Sequence, residues 1–254
     1  MSVRESQQTA AAQPAAPTPS FVDLRAFAAD VGRERIVGEA AADAFLSARR
    51  HLDLPPGPVS LGVIAPERSE GRVERLPGDE FLIVLAGELV IESGADRLAL
   101  TADQSAILPA GIGFAWRAGP GTRLIFMRHI GDARADAAPL AINPAGLMEP
   151  SNPPLAELLV GPTPQCRNRT DYRSADGTFT TGVWDSTPYH RLAMPYRHYE
   201  LMHLLAGAVS FEDGAGRRAT FTAGDIFLIE RGATCSWRSE VDVAKVFAIH
   251  RPFA

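Results

Sequence analysis

Residues 196–207, YRHYELMHLLAG, put two histidines, His198 and His203, and a glutamate, Glu200, within six positions of an apolar run that closes on Gly207. Side chains alternate along an extended chain, so His198, Glu200, Met202 and Leu204 share one face, and Tyr199, Leu201 and His203 the other. The stretch reads as a strand before it reads as a site. Its pattern has a counterpart 120 residues earlier: residues 76–87, LPGDEFLIVLAG, carry Glu80 and Gly87 where the later stretch carries Glu200 and Gly207.

Working outward, LGVIAPE from Leu61 aligns with TGVWDST from Thr181 at the same separation. After one extra residue in the second copy, LTADQSAILPAGIGFAW (100–116) aligns with FTAGDIFLIERGATCSW (221–237). This sets Gly111 with Gly232, Trp116 with Trp237, Phe126 with Phe247 and His129 with His250. The slip falls in a turn, ESGADR against EDGAGRR. Matches in this order, with a single slip at a turn, describe a tandem duplication. From Leu54 onward each copy is a series of short apolar runs punctuated by Gly, Pro and Asp, the pattern of an all-β sandwich or small barrel.

The organisation expected is a disordered tail over 1–20, rich in Ala, Pro, Gln and Thr with little to bury. An N-terminal β-domain then covers 21–130, a Pro-rich linker 131–160 and a C-terminal β-domain 161–254. AADAFLSAR (41–49) is the best short helix candidate before the strands begin. The chain has 254 residues, 46% of them hydrophobic and 22% charged, with a net charge of −5 and no Lys/Arg run. That balance lacks the electrostatic footprint of a nucleic-acid or anionic-membrane binder and points to a small-molecule ligand. No apolar window spans a bilayer, and the N-terminus has no signal-type core, so a cytoplasmic location is expected. Cys166 and Cys235 are too few for a disulfide scaffold and are expected as thiols, a bridge between them staying open.

On Glu80 and Gly87, Glu200 and Gly207, AGDIFLIERG and ADQSAILPAG, the repeat unit resembles the cupin superfamily, which implies two tandem jelly-roll β-barrels, a bicupin. WDSTP (184–188), Tyr196, Glu200, Gly207, Gly232, Cys235, Trp237 and Lys245 are similar to the subgroup of ethanolamine-utilisation and ureidoglycine aminohydrolase-like cupins. The chain departs from the family's first motif: Met194 and Tyr196, or Ala193 and Pro195, stand where its histidine pair would be. Cys235 stands in place of the second-motif histidine.

Two readings of the site follow. In the first, His198, Glu200 and Cys235 ligate one divalent metal, for which imidazole and carboxylate donors suit Zn, Mn, Fe or Ni. In the second there is no metal, and Glu200 accepts hydrogen bonds from Tyr196, Trp237 or Lys245 in a polar cavity. Either way Glu200, Tyr196 and Lys245 are the catalytic candidates, with Lys245 a charge in an apolar strand that can hold a substrate carboxylate or act as a base. Trp184, Met202 and Trp237 are the ligand-binding candidates. His203 is expected to face another sheet or subunit, and His190 a loop at the barrel mouth. In the first copy Leu76, Gly78, Ile83 and Phe114 replace Tyr196, His198, His203 and Cys235. That barrel is therefore expected to be structural or dimer-forming, and the chain a homodimer. The function expected is an enzyme of amidohydrolase, isomerase or lyase type acting on a small polar metabolite. The alternative is a non-catalytic binding or sensor module.

Overall fold

The structure, a computed structural model, describes residues 18–30, 43–133 and 138–253. Strands dominate the described residues, and the two helices are short, Leu24–Ala29 and Ala44–Ser47. Of the helix candidate at 41–49, residues 41 and 42 lie outside the described residues; the helix covers Ala44–Ser47, with Asp43 as its cap, the side chain accepting from the Phe45 N–H. The chain turns into strand Arg49–His51 immediately afterwards.

Each half is two facing antiparallel sheets. In the N-terminal half a six-stranded sheet centred on Asp79–Ala86 and Arg123–His129 faces a four-stranded one. In the C-terminal half a seven-stranded sheet centred on Tyr199–Ala206 and Val243–His250 does the same. The hydrogen-bonded sheets stay separate, so each half is an all-β jelly-roll sandwich rather than a continuously bonded cylinder. Three cores result. One fills each sandwich, around Leu82, Val84 and Trp116 in the first and Met202, Leu204 and Trp237 in the second. The third joins the two large sheets face to face, with Phe81, Ile83 and Met127 packed towards Val183, Leu201 and Val246. Burying a side chain of this size contributes about 1.5–3 kcal/mol, and alternation along each central strand lets it serve two cores at once.

The duplication is visible in the geometry. Gly87 and Gly207 adopt φ +76° and +79°. A Cβ at these positions would lie 2.4 Å from Thr122 Oγ1 and 2.1 Å from the Asp242 carbonyl oxygen respectively, so both positions require glycine. The single-residue slip also lies where the sequence put it. The first hairpin pairs Ser93 with Asp96 across two residues. In the second, the Asp213 N–H reaches the Arg217 carbonyl across three.

The domain boundaries are less separable than the sequence indicated. Phe21–Asp23, assigned to the N-terminal half, pairs with Ile229–Phe227 at the edge of the C-terminal sheet, and Phe21 packs on Phe211 and Phe221. An unpaired sheet edge is thereby covered. The linker is shared likewise, Leu140–Ala141 pairing with the first half and Glu149–Ser151 with the second. Of the tail expected to be disordered, residues 1–17 lie outside the described residues. Ser20 is buried, and its hydroxyl donates to Asp213. No helix among the described residues is long and apolar enough to cross a membrane.

Candidate functional site

The C-terminal half contains a cavity of about 650 Å³. Its walls include Trp184, Tyr196, His198, Glu200, Trp237 and Lys245, together with Cys166, Asn168, Tyr189 and Arg191. Glu200 sits on the inward face of Tyr199–Ala206, with Met202 and Leu204 below it, while Tyr199 and Leu201 turn to the core between the halves.

Glu200 is the hub. Its Oε1 accepts from Lys245 Nζ at 2.7 Å, and its Oε2 lies 3.2 Å from His198 Nε2. Burial opposes ionisation of Glu200, but the Lys245 ammonium and the hydrogen bond of His198 overcome it and hold the carboxyl well below the usual range. Glu200 is therefore a fixed carboxylate. Against an ionised acceptor the imidazole Nε2 carries hydrogen, which leaves Nδ1 as the nitrogen that can accept a proton. Lys245 is Glu200's counter-ion; its Nζ also lies 3.1 Å from Met202 Sδ and over the rings of Trp184 and Trp237, at 4.7 and 5.2 Å from their centroids. Burial pushes the Tyr196 phenol far up, beyond what Arg191 offsets, so it stays a neutral O–H. Arg191 Nη2 donates to the Tyr196 oxygen at 3.1 Å, leaving the phenolic hydrogen free to donate.

The expected metal trio does not assemble. His198 and Glu200 are adjacent, but Cys235 is buried in the apolar core on strand Thr234–Ser239, off the cavity wall. Burial, reinforced by Asp213, raises its thiol to about 11. A protonated thiol in apolar surroundings is a poor ligand and nucleophile. Glu200's two oxygens already serve His198 and a lysine cation. Among the described residues no group of three His, Cys, Asp or Glu side chains could hold a metal ion. The residues present do not fit one, because a protein cation occupies the place where the carboxylate would meet it.

Three further placements differ from expectation. Met202 is not on the wall but beneath Lys245. His190 is not in a mouth loop: it pairs with Arg238 in strand Tyr189–Pro195 and, by alternation, turns away from a cavity that Tyr189 and Arg191 face. Lys245, offered as a base, is engaged as a cation. His203 is buried between the halves, 3.8 Å from Asp103, and both cysteines are free.

The N-terminal half has the same glutamate, sealed by cations. Glu80 is gripped by Arg49, Nη1 and Nη2 at 2.7 and 2.9 Å, and by Arg128 Nε at 2.7 Å, with all three side chains fully buried. Arg49 pairs with Ile64 and Asn168 with Trp184. Since Ile64 and Trp184 are equivalent in the repeat, Asn168 stands in Arg49's place. Arg128 is likewise equivalent to Ile249. Asn168 and Ile249 both line the cavity, which is the volume the two guanidinium side chains fill in the other half. Sequence reading compared the copies at His198 and Cys235 and passed over Arg49, Arg128, Asn168, Tyr189 and Arg191. The available signal was the pair Gly71 and Arg191, a glycine exchanged for an inward arginine.

Two jelly-roll sandwiches related by duplication, one keeping a polar cavity around the motif glutamate, define a bicupin. The chain belongs to the DUF861 family of cupins. It is 30% identical to a DUF861 protein of unknown function from Pseudomonas syringae pv. tomato str. DC3000, over 91% of this chain and 99% of that one, with a TM-score of 0.82. A family model described as a EutQ-like cupin domain matches residues 173–247, which include His198, Glu200 and Lys245 of the cavity wall. A cupin 2 conserved barrel domain protein from Leptotrichia buccalis shares the fold at 11% identity, over 80% of this chain and 89% of that one, with a TM-score of 0.55. No curated protein matches the chain significantly.

Proposed function

We propose that the C-terminal sandwich is an acid–base active site for a small polar metabolite, of amidohydrolase, isomerase or lyase type, working through protein side chains. The observation that carries this reading is the line Lys245–Glu200–His198 along the cavity wall. A fixed carboxylate orients the imidazole and stabilises the imidazolium once formed, so His198 takes or returns the proton through Nδ1. Neutral Tyr196, backed by Arg191, donates to an oxygen on which negative charge develops. Trp184, Trp237 and Tyr189 supply apolar walls that limit water. The N-terminal sandwich, its equivalent volume filled by Arg49 and Arg128, is a structural partner.

The test is solvent exchange. Candidate metabolites are incubated with the protein in D2O, and deuterium entering the carbon-bound positions, or product appearing, is followed by NMR. His198→Gln should slow exchange by roughly 10²–10⁴-fold, the usual contribution of a positioned acid–base group. The pinned state of Glu200 favours a second reading, a binding or sensor module. Ligands that bind and are recovered unchanged and undeuterated would establish that reading and overturn the first.

A further inference from the structure

The two halves differ at one cross-strand pair in a way that bears on the charge of the ligand. In the N-terminal half Trp116 pairs with Gly71. Its indole N–H donates to the Asp43 carboxylate, at 3.1 and 3.3 Å from the two oxygens. Gly71 leaves room for that carboxylate, since a Cβ there would lie 2.6 Å from Asp43 Oδ2. In the C-terminal half the equivalent Trp237 pairs with Arg191. Here Trp237 Nε1 is buried with no acceptor among the described residues, an arrangement that costs free energy unless something supplies one.

Arg191 is in a matching position. It is only 4% exposed and lines the cavity, yet among the described residues its hydrogen-bond partners are two uncharged oxygens, the Tyr196 hydroxyl at 3.1 Å and the Cys235 carbonyl at 3.2 Å. A buried guanidinium is ordinarily matched by an anion. The chain's own carboxylate on this wall, Glu200, is already bound by Lys245 and His198. We infer that the ligand of this cavity carries a carboxylate, which lies between the Arg191 guanidinium and the Trp237 N–H and serves that N–H as the Asp43 carboxylate serves Trp116 in the N-terminal half. The inference rests on the reading of the cavity as the functional site, not on the chemistry assigned to His198.

The approach to the cavity has the same sign. An adjoining hollow of about 1000 Å³ shares Asn168, Tyr196 and Arg251 with it. Arg173, Arg197, Arg231 and Arg251 all line this hollow, and among the described residues no aspartate or glutamate is on its wall. On a chain of net charge −5, a local all-cationic mouth attracts small anions and raises their rate of arrival.

The test pairs anions with neutral isosteres. Glycolate, lactate, malonate and succinate, each beside its primary amide, and inorganic phosphate are titrated into the full chain by calorimetry and thermal shift. The indole N–H resonances of the three tryptophans are followed by NMR. At least one carboxylate should bind and move the Trp237 resonance while its amide does not. Arg191→Met should weaken binding roughly ten- to hundredfold and Arg191→Lys less, because lysine lacks the planar fork. Arg231→Gln and Arg251→Gln, outside the core, should slow association at low salt. Arg238→Gln, an exposed residue paired with Glu240, should change nothing.

Several results overturn the inference: amides binding as tightly as acids, phosphate binding with no carboxylate doing so, or a Trp237 resonance indifferent to bound carboxylate. No binding at roughly 10 mM, tenfold above a millimolar Kd, also counts against it. Carboxylate binding without proton exchange would instead sink the acid–base reading and leave this one standing. Exchange on neutral compounds, unaffected by Arg191→Met, would do the reverse.

Discussion

Replacing the motif glutamate by glutamine in each half separately should have unequal costs. In Glu80→Gln one negative charge is removed from between Arg49 and Arg128, at 2.7–2.9 Å, where carboxylate and guanidinium groups are 0% exposed. Burial opposes ionisation of Glu80, and the two arginines nonetheless hold its carboxyl below the usual range, so the native state contains the anion. Removing one partner of such a buried network costs about 3–5 kcal/mol, because the remaining charges keep their desolvation penalty without compensation. For a chain of this size that is about 6–20 °C of melting temperature, at about 2–4 °C per kcal/mol. In Glu200→Gln, Lys245 and His198 line a cavity rather than a filled core, and about 1–3 kcal/mol is expected, the scale of a lost charged hydrogen bond. Thermal and urea melts of the two variants beside wild type measure the difference. A Glu80→Gln protein melting within about 2 °C of wild type, below the shift of even 1 kcal/mol, or a Glu200→Gln protein less stable than Glu80→Gln, would refute the reasoning. Replacing all three residues together, as Arg49→Met, Glu80→Leu and Arg128→Met, should recover most of the loss, since apolar groups of similar volume carry no such penalty.

Other expectations follow from the same geometry. Glu200 and Glu80 have folded values below the ordinary 4.5. Their stabilisation is thus complete above that pH and is lost as pH falls from it through the folded values. Acid melts should steepen below about pH 4.5, and Glu200→Gln should flatten that limb; an unchanged acid limb would show that Glu200 is not linked to folding. Purified without a polyhistidine tag, the protein should show the same trace metal by elemental mass spectrometry as its His198→Ala and Glu200→Gln variants. Near-stoichiometric metal lost in both would contradict the donor assignment. Cys235, fully buried with its thiol raised to about 11, should resist thiol reagents at pH 8 until the chain is unfolded, and rapid labelling in the native state would show the core to be open there. Phe21→Ala should destabilise by about 3–4 kcal/mol or somewhat less for a half-buried ring, with amide exchange quickening first in Ile226–Ile229, the edge it covers.

Much of the fold was legible along the chain because a duplication writes each structural requirement twice. Gly87 and Gly207, Trp116 and Trp237, and the one-residue difference in the hairpin turn are local or nearly local demands, and local demands survive in sequence. The period-two alternation of residues 198–204 likewise assigned Glu200 and Met202 to the face opposite Leu201 and His203, since pleating leaves a strand no other choice. The two halves' shared edges were not legible: Phe21 sits in the chain beside the first half and in space beside Ile229, and nothing local distinguishes an edge strand for one sheet from an edge strand for another.

The site divides along the same line. From the sequence alone came the motif glutamate, the residues sharing its face, and the fact that one copy carries titratable groups where the other is apolar. Only the tertiary structure decided what those groups do, because charge pairing depends on which strands are neighbours. Lys245 reaches Glu200 across an antiparallel pair, Arg49 reaches Glu80 from a strand 31 residues earlier, and Cys235, on the same inward face as Trp237, packs into the apolar core off the cavity wall. The same contacts turn one copy of a duplicated glutamate into a sealed ion cluster and leave the other in a cavity, since two arginine side chains either occupy the space beside it or, as Asn168 and Ile249, do not.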